Sequence, residues 1–181
     1  MTTIRTPFGT DDNVNEKNIG TNGAYGTVEE YGDGNYHKTV LTLAGAFGAI
    51  AGGANLGVGR LVYTFPAGVI RILTATMNGL ALQQTQGNVT ADTPELGLGT
   101  VIASGAVAVL SGTATFEDIL TGQVMGDCDG TAKLAAVGNT LTILAAAAHT
   151  VHLNVADGWA ASGDAALGFA GEVVITWEFL S

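Results

Sequence analysis

Residues 171–180 read Gly171-Glu172-Val173-Val174-Ile175-Thr176-Trp177-Glu178-Phe179-Leu180. Val173, Ile175, Trp177 and Phe179 fall at every second position, with Glu172, Val174, Thr176 and Glu178 between them. That period of two belongs to a strand with one buried and one solvated face, and the aromatic load marks the buried one. A strand so well patterned pairs inside a sheet, and so the chain is ordered close to its last residue.

Upstream, short apolar runs recur between Gly, Asn and Asp clusters. Candidate strands are 38–44, 60–65, 69–77, 79–84 with a bulge at Asn78-Gly79, one or two strands over 96–110, 141–147, and 149–155. Pro66-Ala67-Gly68 separates the second and third, which predicts a hairpin from Leu61 to Met77. The runs 141–147 and 149–155 read as another pair. Helical signal is weak: 115–124 suits a turn or two, with Phe116, Ile119 and Leu120 on one side, and the Ala-rich stretches are short or broken by Gly. The expectation is an all-β fold, a β-sandwich or jelly roll over residues 36–181. Residues 1–35 read as an extended, irregular N-terminal arm. Its isolated apolar residues Phe8, Val14 and Ile19 form no stripe, so it is either a frayed tail or an arm that orders on a neighbouring subunit. On the second reading Phe8, Val14, Ile19, Tyr25, Tyr31 and Tyr36 are the candidate partner-binding residues.

Composition narrows the function. The 181 residues carry 6 Lys+Arg against 16 Asp+Glu, a net charge of −10, while charged residues make up 12% and Gly 27 positions. Six scattered cations build no phosphate-binding patch, which argues against nucleic acid. No apolar stretch behind a basic start marks a signal peptide. The uncharged runs 40–59 and 96–116 are long enough to cross a bilayer but are studded with Gly, Ser and Thr, so no membrane span is expected. Cys128 is the only cysteine, which excludes an internal disulfide; flanked by Asp127 and Asp129, its thiol is disfavoured as a nucleophile and reads as a small buried or loop residue.

The remaining motifs have plain readings. His149 and His152 on a strand point to opposite faces and cannot share a metal. Asp127-Cys128-Asp129-Gly130 opens like a calcium loop, but Ala132 and Gly138 stand where Gly and Glu are required, leaving an acidic turn or, as the alternative, an irregular cation site. Gly57-Val58-Gly59 and Gly97-Leu98-Gly99 lack the third glycine and the helix of a dinucleotide site, and mark bulges or close strand crossings. Glu29-Glu30-Tyr31-Gly32-Asp33-Gly34 reads as a solvated acidic turn. Trp159, after the turn signal Asp157-Gly158, is a lid over the core in preference to an interface anchor. With no acid–base or nucleophile set, neither an enzyme nor a cofactor is expected.

Three stretches taken together, Val28 to Gly34, Gly97 to Gly105 and Asn154 to Asp164, resemble a group of tailed-bacteriophage virion structural proteins. Some acidic phage proteins of this size are capsid decoration (cement) proteins, built as jelly-roll trimers. The resemblance covers most of residues 28–181 and no catalytic motif. It implies a homotrimer, made in the host cytoplasm, that binds the major capsid protein lattice on the outer surface of the phage head. The acidic charge agrees with an outward position, because it would repel packaged DNA. The alternative is a tail or fibre component in host attachment, binding glycans; an exposed aromatic groove with Asn or Asp neighbours would favour it.

Overall fold

The structure, a computed structural model, describes residues 2–5, 20–33, 35–51, 55–85, 93–126, 128–130, 142–144, 147–157 and 166–180. Eleven strands form within them: β1 (Thr2–Arg5), β2 (Thr21–Asn22), β3 (Gly26–Asp33), β4 (Tyr36–Ala46), β5 (Gly57–Thr64), β6 (Ile70–Gln83), β7 (Glu95–Gly99), β8 (Leu120–Val124), β9 (Thr142–Leu144), β10 (Thr150–Ala156) and β11 (Gly168–Phe179). They make two sheets packed face to face, a β-sandwich. The first has the order β1-β3-β4-β11-β6-β9 and the second β2-β5-β10-β7-β8. Every described pairing is antiparallel except β1 with β3.

β11 is the centre of the first sheet, paired along its length with β4 and β6. Val173, Ile175 and Trp177 are fully buried and Phe179 packs against the core, as the alternation requires. The Trp177 ring meets Phe65 of the other layer edge to face at 5.3 Å and Phe179 at 5.2 Å. Burial of such a side chain contributes roughly 1.5–3 kcal/mol.

β6 departs from strict alternation twice. Its inward residues are Ile70 and Ile72, then Ala75 and Met77, then Leu80 and Leu82. The pairing with β11 slips at both breaks, between Thr176 and Trp177 and between Ala170 and Glu172. Each bulge adds one residue and restores the inward phase. The second lies at Asn78-Gly79, as expected, with Gly79 at φ +62°.

The hairpin expected from Leu61 to Met77 does not form. β5 pairs with β10 and β2 in the second sheet, while β6 lies in the first. Both runs carry a strongly apolar face, Tyr63 and Phe65 on one and Ile70 and Ile72 on the other, and the chain buries these against each other across the core. Pro66-Ala67-Gly68 is therefore a crossing between layers. The pair expected from 141–147 and 149–155 separates likewise: β9 joins β6 in the first sheet and β10 joins β5 and β7 in the second. The helical turn expected over 115–124 is replaced by two 3₁₀ turns, Leu110–Gly112 and Ala114–Phe116, followed by β8. Ile119 and Leu120 still reach the core, with Leu120 paired to Leu98.

The irregular segment expected up to residue 35 also differs. β3 runs the length of the turn proposed at Glu29–Asp33 and pairs in full with β4, because Val28 and Glu30 point inward while Glu29 and Tyr31 point outward. Cys128 is fully buried in the main core.

Candidate functional site

The two outer faces of the sandwich are built differently. On the second sheet, Gly59 of β5 and Gly97 of β7 flank Asn154 of β10. A Cβ on Gly59 would stand 2.0 Å from Asn154 Oδ1, and one on Gly99 would stand 2.3 Å from the Thr115 carbonyl. The paired glycines thus let the segment 100–119 lie directly on the sheet, the close crossing their spacing suggests. Asn154 holds it there. Its Oδ1 accepts from the Ala103 N–H at 2.9 Å, and its Nδ2 donates to the Val101 and Phe116 carbonyls at 2.9 and 2.8 Å. Ala103, Leu110, Phe116 and Ala156 form a second small core beneath the segment.

The outer face of the first sheet carries no such cladding among the described residues. Its rows run Thr27, Thr42, Glu172, Asn78; then Glu29, Val40, Val174, Thr76; then Tyr31, Lys38, Thr176, Thr74. These residues are exposed or half-buried. The face is rich in Thr, with Val40 and Val174 side by side at its middle and Glu29, Lys38 and Glu172 toward its margins.

At its β3–β4 end lies a groove of about 390 Å³, lined by Tyr31, Gly32, Tyr36, His37, Lys38 and Thr176. Tyr36 is 62% exposed. Tyr31 is braced: its hydroxyl donates to Glu29 Oε2 at 2.6 Å, and Lys38 Nζ lies 5.7 Å from its ring centre. Such a cation–π contact contributes about 0.5–1 kcal/mol at an exposed site. The His37 ring turns to the inner side of β4, stacked on Trp177 at 4.1 Å and 10°.

The sequence-derived candidates separate. Tyr31 and Tyr36 come together in this groove. Tyr25 lies at the opposite end of β4, its ring against Phe169 at 6.0 Å and under the Arg60 guanidinium at 5.2 Å. Phe8, Val14, Ile19 and Trp159 lie outside the described residues. Lys38, His37 and Thr176 carried no motif, and only strand register could have joined them to the tyrosines.

Other chemistry is sparse. His152 of β10 bonds Thr150 Oγ1 at 2.9 Å, and burial lowers its pKa. No group of three or more His, Cys, Asp or Glu among the described residues could hold a metal. No helix among them is long and apolar enough to cross a membrane.

Comparison of the chain with protein-family models, with curated proteins and with solved structures gives no match.

Proposed function

We propose that this chain is a virion structural protein, a capsid decoration protein that associates as a homotrimer and binds outside the major capsid protein lattice of a phage head. The observation that carries this reading is the asymmetry of the two outer faces. One is clad by the chain's own segment 100–119; the other presents, among the described residues, a Thr-rich surface four strands wide with Val40, Val174 and Thr76 at its middle and Glu29, Lys38 and Glu172 as its charged groups. Surfaces of modest, well-ordered side chains suit subunit contacts, and repeated weak contacts add through effective concentration on a lattice. The strand order also supports a jelly roll. Counting β4 to β11 as eight successive strands, the first sheet holds the first, eighth, third and sixth, and the second holds the second, seventh, fourth and fifth. Particles lacking the chain should assemble but burst at lower temperature, and added protein should restore them. Val174→Lys, which sets a charge in the middle of the open face, should fold and fail to restore. Equal robustness with and without the chain would overturn the proposal.

The groove favours a second reading, a tail or fibre component that binds host glycans. Tyr36 offers an exposed ring face, and Asn35 lies exposed beside it. Under that reading Tyr36→Ala abolishes attachment to cells while leaving particle stability unchanged.

A further inference from the structure

Between the two sheets lies a carboxyl group held by hydroxyl groups. Glu30 points inward from β3 and is 3% exposed. Its Oε2 accepts from the Thr39 hydroxyl on β4 at 2.9 Å, and its Oε1 accepts from the Tyr63 hydroxyl on β5. Thr39 in turn accepts from Trp177 Nε1 on β11 at 2.9 Å. A continuous chain of hydrogen bonds thus runs Trp177–Thr39–Glu30 through three strands of the first sheet and ends on Tyr63 of the second. Tyr63 is itself pinned, because a backbone hydrogen bond from Gly20 meets its hydroxyl and a Cβ on Gly20 would stand 2.1 Å from that oxygen.

The groups around Glu30 are uncharged or turned elsewhere. From β4, His37 stacks on Trp177, and Lys38 faces the opposite side with Tyr31. From β5, Arg60 donates to the Ala46 carbonyl. From β11, Glu178 is paired with Arg71. β2 brings Thr21 and Asn22, and β1 sets Ile4 opposite Glu30 in register. Among the residues whose side chains are described, no Lys or Arg reaches the Glu30 carboxyl.

We propose that Glu30 is a pH-responsive tie between the two sheets, closing this end of the sandwich when neutral and loosening it when ionised. In the neutral form the proton on Oε2 takes the place of the Thr39 hydroxyl proton, so that Glu30 donates to Thr39 Oγ1 while its Oε1 still accepts from Tyr63. The ionised form accepts at both but must hold a charge out of water, which costs several kcal/mol unless paired. Burial wins: it raises Glu30 to about 7 although the bonds from Tyr63 and Thr39 pull the other way. Burial and the neighbouring carboxyl also raise Tyr63, so the phenol stays a donor throughout.

The sign follows from linkage. Between 4.5 and about 7 the folded carboxyl keeps a proton that the unfolded chain has released. Stability from this group is complete below the lower value and is lost as pH rises through the upper one. A shift of this size corresponds to about a 300-fold fall in the folded-to-unfolded ratio. The test compares the thermal midpoint of the full chain with that of Glu30→Gln between pH 5 and 8. The wild type should lose stability across this range, by roughly 5 °C or more. The variant, which keeps a neutral hydrogen-bonding group, should show a flatter profile and exceed the wild type at pH 8. Parallel profiles would overturn the proposal. If the variant does not fold, carbon-13 NMR of the wild-type Glu30 carboxyl decides: a midpoint near 7 supports the tie and one near 4.5 refutes it.

Discussion

Asn154 shows how much one buried side chain can organise. Its three hydrogen bonds fix the segment 100–119 on the second sheet, and Gly59 leaves the space in which its Oδ1 sits. Asn154→Ala strands one N–H and two carbonyls in a dry interface, and is expected to cost about 2–4 kcal/mol in urea unfolding. Gly59→Ala places a methyl against the same Oδ1 and should cost a similar amount. Because both changes damage one contact, the double variant should fall short of the sum by at least about 1 kcal/mol; strict additivity would contradict the arrangement. Glu30 is read in the same way. Tyr63→Phe removes a bond that holds its pKa down, so the carboxyl midpoint measured by NMR should move above that of the wild type. Part of this was open to the sequence. Glu30 alternates with Val28 and Glu29 with Tyr31, a period of two that places one acid inside. The density of carboxylates and glycines hid it, and nothing local announces Tyr63, 33 residues away, as its partner.

At the scale of the element, β11 and β6 mark the two extremes of legibility. β11 announces itself because from Val173 to Phe179 every inward residue is large and apolar and no bulge interrupts its own phase. β6 is equally long and central, but its phase is reset at residues 73 and 79, so a fixed alternation reads it as two shorter strands. The second reset depends on Gly79, which has φ +62° and open space around its Cβ position. Gly79→Val should therefore cost about 1–2 kcal/mol through the backbone alone, and Gly79→Asn much less. Gly171 stands across the bulge, where a Cβ would lie 2.6 Å from Leu80 Cα. Gly171→Ala should accordingly be the more damaging change in thermal unfolding. The sheet assignment of β5 and β6 was beyond local reading for a different reason. Pro66-Ala67-Gly68 is compatible with a turn within a sheet or a step between sheets, and only burial of two apolar faces against each other decides.

For the whole molecule, the physics is that of a stiff acidic block with one clad face and one open face. With a net charge of −10 and only 12% charged residues, the proposed attraction between copies would have to come from surface of low charge, such as the Thr and Val positions on the outer face of the first sheet. Light scattering should give three times the 18.2 kDa chain mass, and Val174→Lys should return it to one. Composition and the C-terminal strand are enough to reach an all-β sandwich. The open face is invisible until register aligns Thr27, Thr42, Thr74, Thr76 and Thr176, which come from four separate strands. The proposed role is tested most directly by imaging purified particles at a resolution that traces strands. The account predicts this chain outside the shell, in threefold clusters, with the face bearing Val40, Val174 and Thr176 turned toward neighbouring subunits or the lattice. Density for it at a tail tip, or none on the particle, would contradict the account.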